Sequence, residues 1–143
     1  MITSGLMSSA TDQWATPQSL FDELNAEFNF TLDACASAWN YKVDKYFDEA
    51  MDSLKQDWTG TVWMNPPYGR TIKQWMAKAY ESAGGGATVV CLVPARTDTA
   101  WWWDYAMNGE VRFIRGRIKF VSPTGEGDAA PFPSAIVIFR GRK

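Results

Sequence analysis

Histidine is absent from this chain of 143 residues. The commonest general base and the commonest metal ligand of proteins are therefore both missing, so any catalysis must proceed without an imidazole. We expect no metal site for the same reason. Only two cysteines are present, Cys35 and Cys91, each inside an apolar stretch. They form no close pair, which argues against a disulfide framework and predicts two reduced, mostly buried thiols.

Long apolar runs are absent as well. No segment approaches the roughly 20 apolar residues that cross a membrane, and residues 1–10 lack the layout of a signal peptide. We therefore expect a cytoplasmic protein without membrane partners. The length suits one domain over residues 1–143, with 1–11 as a flexible N-terminus and the Gly- and Pro-rich segment 122–133 as an exposed loop.

Charge is small in sum but unevenly distributed. The net charge is −2, yet residues 1–60 carry ten acidic against three basic side chains, and residues 111–143 carry seven basic against two acidic ones. A polyanion would be attracted to the later segment. A charged tail without a partner is the ordinary alternative.

Apolar periodicity alternates between the strand and the helix type along the chain. The predicted elements are a helix that Thr16 caps and Pro17 opens, a strand ending near Asp33, strand 61–64, helix 71–83, strand 87–94, helix 98–107, and two late strands, 110–121 and 134–139. Residues 37–58 give no clear pattern. The order predicts an α/β fold with a mostly parallel central sheet, helices on both faces and a late antiparallel strand.

The residues Asn65-Pro66-Pro67-Tyr68 follow directly on the apolar strand 61–64. Two successive prolines lack N–H groups and fix the backbone, so this segment is stiff and its carbonyls have no local donor. Asn65 adds a side-chain acceptor beside the Pro66 carbonyl, and Tyr68 adds a flat ring. The result is two fixed acceptors beside a stacking surface.

Such a pair of acceptors suits a planar NH₂ group, such as the exocyclic amine of adenine. Holding both hydrogens frees a nitrogen lone pair that conjugation otherwise occupies, so positioning and fixed dipoles replace a histidine base. A base in duplex DNA must first leave the stack to reach these acceptors. An ordinary turn after a strand is the alternative.

With these residues in view, the chain resembles the S-adenosylmethionine-dependent amino-methyltransferases, whose signature is Asn or Asp, Pro, Pro, aromatic. More narrowly, it resembles the phage-type, Dam-like DNA N6-adenine methyltransferases. The similarity runs through WATPQSLFDEL (14–24), FTLDACA (30–36), WNYK (39–42), SLKQDWTGTVWMNPPYG (53–69), LVPARTDTAWW (92–102) and FIRGRIKF (113–120). It implies a Rossmann-like methyltransferase fold, S-adenosylmethionine as cofactor, and methyl transfer to a flipped-out adenine of double-stranded DNA in the host-cell cytoplasm.

The resemblance also implies roles for individual residues. The target amine and base are held by Asn65, Pro66, Pro67 and Tyr68. The cofactor is contacted by Trp14, Thr16, Pro17, Asp33, Ala34, Cys35, Ala36, Asp57 and Trp58. The expected DNA contacts are Arg70, Arg96, Arg115, Arg117 and Lys119, the last three alternating along one face of the predicted strand 110–121.

Two features depart from the wider superfamily. The residues after Asp33 read ACASAWN, without the glycine-rich turn that is common there. The chain also has no length for a separate target-recognition domain. Sequence readout must then come from the basic late segment, from loop 122–133, or from a partner subunit in a homo-oligomer. Trp101, Trp102 and Trp103 cannot all point inward from one helix, so at least one should meet DNA, a subunit or another element.

Other functions remain open at this point. The same chemistry serves methylation of cytosine N4 or of protein glutamine, and an idle DNA-binding protein could share the fold. A cytosine C5 enzyme needs a nucleophilic Cys, usually behind a Pro, whereas Cys91 lies within a strand and precedes its proline.

Overall fold

A five-stranded sheet forms the centre of the fold in the computed structural model, which describes residues 15–121, 127 and 129–142. Its strands are β1 (Leu32–Asp33), β2 (Thr61–Met64), β3 (Thr88–Pro94), β4 (Glu110–Phe113) and β5 (Ser134–Phe139), arranged in the order β1-β2-β3-β5-β4. Strands β1, β2 and β3 are parallel, and β5 is antiparallel to both of its neighbours, β3 and β4. The predicted α/β fold with a late antiparallel strand is confirmed.

Among the described residues, three α-helices accompany the sheet: α1 (Gln18–Phe28), α2 (Ile72–Gly84) and α3 (Ala100–Asp104). The ring of Phe21 in α1 packs on Trp63, which is paired with Val90. Tyr80 in α2 packs on Phe139, which is paired with Val89. Side chains of paired residues point to the same face and successive residues to opposite faces, so α1 and α2 cover opposite faces of the sheet.

The core consists of the strands and the apolar stripes of these helices. All six residues of β5 and all but the first of β3 are buried, as expected for strands covered on both faces. Helix α2 buries Ile72, Met76, Ala79 and Ala83, which recur at helical spacing.

Three sequence-based expectations differ from the structure at element ends. The predicted Thr cap of α1 is wrong: Pro17 occupies the N-cap position and has no side-chain acceptor, so no side chain caps the helix, and the Thr16 hydroxyl accepts from Asn65. The predicted strand 110–121 ends at Phe113. Gly116 has a φ of +78°, outside the β region, and beyond it Lys119 and Val121 make only isolated bridges. Arg115, Arg117 and Lys119 therefore do not alternate along a strand.

The third difference is helix 98–107, which is α3 followed by a 3₁₀ turn, Ala106–Asn108. Trp101 and Trp102 are buried, whereas Trp103 is 61% exposed and donates its indole N–H to the Thr97 carbonyl. The prediction that the three tryptophans cannot all point inward is thus confirmed.

The segment 37–58 folds without long elements. Residues 45–47 run beside β1, where Asp33 N–H donates to Lys45 O and Phe47 N–H donates to Asp33 O, and two 3₁₀ turns follow, Glu49–Met51 and Ser53–Lys55. None of the helices in the described part of the chain has the length and apolarity that a membrane crossing requires. No group of three potential metal-ligating side chains comes together among the described residues.

Candidate active site

A cavity of about 610 Å³ opens at the carboxyl ends of β1 and β2. This volume lies in the range of roughly 300–1,000 Å³ that small-molecule sites occupy. Its wall comes from the residues before α1, the segment after β1, the 3₁₀ turns and the residues after β2. The predicted site residues in the lining are Thr16, Asp33, Cys35, Ala36, Asn65, Pro66 and Pro67. We call this space the first cavity.

Asp33 anchors the turn at the base of the first cavity. Its side chain is 2% exposed, and its two oxygens accept N–H bonds from Cys35 at 3.2 Å and from Lys42 at 3.0 Å. Burial raises the pKa of Asp33 to about 6, against the opposing effect of these two N–H donors. The carboxylate thus organises backbone N–H groups in a turn that contains no glycine.

Lys42 extends from this turn to α1. Its ammonium donates to Oε1 of Gln18 at 2.9 Å, and partial burial lowers its pKa while the nearby Asp33 raises it. Lys42 also lines the first cavity, which the residue-by-residue expectations did not include. The fragment WNYK, part of the family resemblance, was the signal that could have identified it.

Asn65 lies where the first cavity meets the segment before α1. Its amide Nδ2 donates to Oγ1 of Thr16 at 3.1 Å, and its Oδ1 accepts from the hydroxyl of Tyr68 at 2.9 Å. Thr16 is 2% exposed and stands 49 positions earlier in the chain. Both edges of the amide are therefore in contact with a hydroxyl group.

Tyr68 is buried, with 6% of its surface exposed. Its ring meets the rings of Phe120 and Phe132 edge to face, at centroid distances of 6.1 and 5.6 Å. Its hydroxyl lies 3.0 Å from the Leu92 carbonyl as well as near Asn65. Burial raises the pKa of Tyr68, so the phenol keeps its proton and has two acceptors within reach of it.

A second cavity of about 630 Å³ is bordered by the end of the Asn65–Tyr68 run, at Tyr68. Tyr68 lines it together with Arg70, Arg96, Trp101 and Phe132. The guanidinium of Arg96 lies 5.7 Å from the centre of the Phe132 ring. Asn65, Pro66 and Pro67 thus border the first cavity and Tyr68 borders the second, so the run contributes to the lining of both spaces.

The thiols at this centre are unsuited to nucleophilic attack. Cys35 borders the first cavity and Cys91 is buried in β3. Burial raises the pKa of both thiols, and the nearby Asp33 raises that of Cys35 further. Both therefore stay protonated, and a protonated thiol is a poor nucleophile.

Other predicted residues do not line the first cavity. Pro17 is partly buried, Ala34 is fully buried, and Asp57 is exposed. Trp58 is buried behind the wall: its indole N–H contacts Ser53, and its ring stacks on Trp75 at 6.0 Å. Ser53 and Trp75 themselves line the cavity. Trp14 lies outside the described residues.

The predicted DNA contacts divide into two groups. Arg70 and Arg96 border the second cavity and are exposed. Arg115, Arg117 and Lys119 are exposed on the segment after β4 and line neither cavity. That segment is fixed near Tyr68 by Phe120, which is buried against the tyrosine ring.

Comparison with known proteins gives a consistent result. Residues 3–143 match the family model described as DNA N-6-adenine-methyltransferase (Dam). A DNA N-6-adenine-methyltransferase of Haemophilus phage HP1 (strain HP1c1) is 33% identical over 146 residues, covering 97% of this chain and 84% of the relative. A protein of the same description from Escherichia phage T1 is 32% identical over 100 residues, covering 68% of this chain and 42% of the relative.

Proposed function

This chain belongs to the Dam family of DNA N-6-adenine-methyltransferases, and we propose that it transfers the methyl group of S-adenosylmethionine to N6 of an adenine turned out of duplex DNA. The observation that carries this proposal is that the Asn65–Tyr68 run contributes to the lining of two cavities of small-molecule size. A methyl donor in one cavity and a base in the other could then meet at these residues. Such a reaction would take place where the DNA is, in the cytoplasm of the host cell.

The first cavity fits the cofactor in size and in charge. Its lining includes the carboxylates of Asp33, Asp48, Glu49 and Asp52, which suit a ligand carrying sulfonium and ammonium groups. The bound cofactor supplies an electrophilic methyl group. Cys35 and Ala36 would hold it at the wall, with Pro17 and Ala34 beside them, and Thr16 borders the same space. Trp58 would support the wall from behind by fixing Ser53 and Trp75, whereas Asp57 is exposed and does not line the cavity.

Asn65 and Pro66 would hold the target amine. The Asn65 Oδ1 and the Pro66 carbonyl would accept its two hydrogens, which frees the nitrogen lone pair for attack. The nitrogen would bond to the methyl carbon as the carbon–sulfur bond breaks, S-adenosylhomocysteine would leave, and the surplus proton of the amine would pass to solvent. Tyr68 can release Oδ1 for this task, since its single proton has a second acceptor in the Leu92 carbonyl at 3.0 Å. Pro67 keeps the segment rigid.

The second cavity suits the nucleic-acid side. Tyr68 borders it, and Arg70 and Arg96 place two cations at its rim, where phosphates of a DNA strand could be neutralised. Arg115, Arg117 and Lys119 would extend this contact, because their segment is fixed next to Tyr68 through Phe120. The partner would be double-stranded DNA, since an extruded base needs a site of this size beside a cationic surface.

The direct test uses the wild type and Asn65→Ala. Each is incubated with S-adenosylmethionine and unmethylated duplex DNA, and the digested nucleosides are identified by mass spectrometry. We expect N6-methyladenine from the wild type alone, while calorimetry shows that both bind the cofactor with similar affinity. N4-methylcytosine in place of N6-methyladenine, or no methylated base from the folded wild type, would overturn the proposal.

A further inference from the structure

Thr16 has a bonding pattern that its position in the sequence does not predict. A threonine before Pro17 and an amphipathic helix is a typical N-cap, yet α1 has no side-chain cap. The hydroxyl is instead buried and accepts a hydrogen bond from Nδ2 of Asn65. Pro17 occupies the N-cap position and has no side-chain acceptor, so Thr16 lies one residue before the cap and its hydroxyl bonds to Asn65 instead.

The consequence concerns the placement of the Asn65 amide. This inference rests on the function proposed above, in which Oδ1 of Asn65 must lie within hydrogen-bond distance of the target amine. The rotation of an asparagine amide about its last bond is broad, so the residue cannot fix its own plane. A bond at 3.1 Å from Nδ2 to a buried, β-branched partner restricts this rotation.

Tyr68 alone is insufficient for this restraint. Its hydroxyl has one proton, which lies between Oδ1 of Asn65 at 2.9 Å and the Leu92 carbonyl at 3.0 Å. When an amine occupies Oδ1, that proton can turn to Leu92. The bond to Thr16 lies on the opposite edge of the amide and is unaffected by this exchange.

We propose that Thr16 is a positioning residue for methyl transfer: its hydroxyl holds the Asn65 amide in the plane that receives the target amine. Thr16 also borders the first cavity, so a contribution to cofactor binding is the competing role. The two roles predict different kinetics. Positioning affects kcat, whereas a cofactor contact affects the affinity for S-adenosylmethionine.

The test compares Thr16→Val, which keeps the shape and removes the hydroxyl, with Thr16→Ser, which keeps the hydroxyl. We expect Thr16→Val to lower kcat at saturating DNA and cofactor by about tenfold or more, the scale of small misplacements at reacting groups. Thr16→Ser should retain kcat within about threefold, and Thr59→Val, at an exposed threonine away from both cavities, should match the wild type. The affinity for S-adenosylhomocysteine, measured by calorimetry, should stay within about twofold in all variants.

Three results would overturn the inference while the wild type remains active. They are an unchanged kcat in Thr16→Val, a loss of S-adenosylhomocysteine affinity that accounts for its whole defect, or equal impairment of the Ser and Val variants. Thermal unfolding of each variant establishes that the folded protein is assayed. A wild type that forms no N6-methyladenine would instead contradict the proposed function, so the two failures are distinguishable.

Discussion

The buried side chain of Asp33 accepts hydrogen bonds from the backbone. Its carboxyl is 2% exposed and serves two backbone N–H groups of the turn that follows β1. Desolvation raises its pKa to about 6 even so. A cation in the first cavity would favour the ionised form, so cofactor binding and the ionisation of Asp33 should be linked.

The raised pKa of Asp33 predicts a pH dependence of stability. The folded protein binds a proton at Asp33 more tightly than the unfolded chain, whose value is near 3.8. The contribution of this group to the unfolding free energy is therefore greatest below about pH 4, and it is lost as the pH rises to about 6. Relative to Asp33→Asn, the wild type should become less stable by about 1–3 kcal/mol over this window, measured by urea denaturation.

Salt provides the control for this measurement. Burial is the main cause of the raised pKa of Asp33, and salt screens buried groups weakly. The pH-dependent difference in unfolding free energy between the two proteins should therefore persist at high salt, on the order of 0.5 M NaCl. Parallel stability curves for wild type and Asp33→Asn between pH 4 and 6 would show that Asp33 does not have the raised pKa.

At the scale of elements, the turn that leads into β2 depends on a glycine. Gly60 has a φ of +78°, and a Cβ there would collide with Oγ1 of Thr31. That hydroxyl accepts from the Thr61 N–H at 3.1 Å and lies 3.2 Å from the Thr61 carbonyl. The turn therefore holds the start of β2, the strand that Asn65 directly follows.

We expect Gly60→Ala to lower the unfolding free energy by about 2 kcal/mol, because a left-handed backbone and a close contact both penalise a side chain. Gly85→Ala is the matched control. Gly85 has a φ of −87° and its added Cβ would meet only ordinary contact, so a change within about 0.5 kcal/mol is expected. Equal urea midpoints for the two variants would contradict this account.

The elements could be predicted from the sequence where burial imposes a period. Strand β3 and helix α2 lie at the predicted positions because their apolar residues face the core. Residues 37–58 could not be placed, since bonds to distant groups hold them, such as the Lys42 N–H to Asp33 and the Asp33 N–H to Lys45. The end of β4 was missed because the apolar alternation of residues 110–121 continues past it.

Within the site, local rigidity was predictable and long-range pairing was not. The Asn65–Tyr68 run could be found because its prolines define the backbone by themselves. The burial of Tyr68 depends on Phe120 and Phe132, more than fifty positions away. The bond from Asn65 to Thr16 is likewise tertiary, and the sequence around Thr16 favours a helix cap instead.

At the scale of the whole molecule, the arginines that border the second cavity are not those of the basic segment 111–143 that the sequence pattern indicated. Much of the basic late segment is engaged within the protein: Arg112 is paired with Glu27 and Glu110, Arg140 with Glu110, and Arg142 with the Tyr80 carbonyl. These bonds join β4 to α1 and to the end of the chain. The arginines at the second cavity, Arg70 and Arg96, come from outside that segment.

This distribution predicts which arginines affect DNA binding. Arg70→Ala and Arg96→Ala should each weaken binding to a duplex and reduce the slope of log affinity against log salt by about 1, as expected for one lost phosphate contact. Arg140→Ala removes an equal charge that is paired with Glu110, and should leave the slope unchanged. Fluorescence anisotropy between low and moderate salt measures both quantities, and equal slopes in all three variants would contradict the assignment.

The sheet order also bears on how this protein is made. Strand β5, at residues 134–139, is inserted between β3 and β4, both of which leave the ribosome earlier. Until β5 is synthesised, β3 and β4 each present an open edge, and open edges recruit other chains. A premature stop codon before residue 134 should therefore yield aggregated protein rather than a partly active fragment. The sheet therefore closes only after β5 has been synthesised.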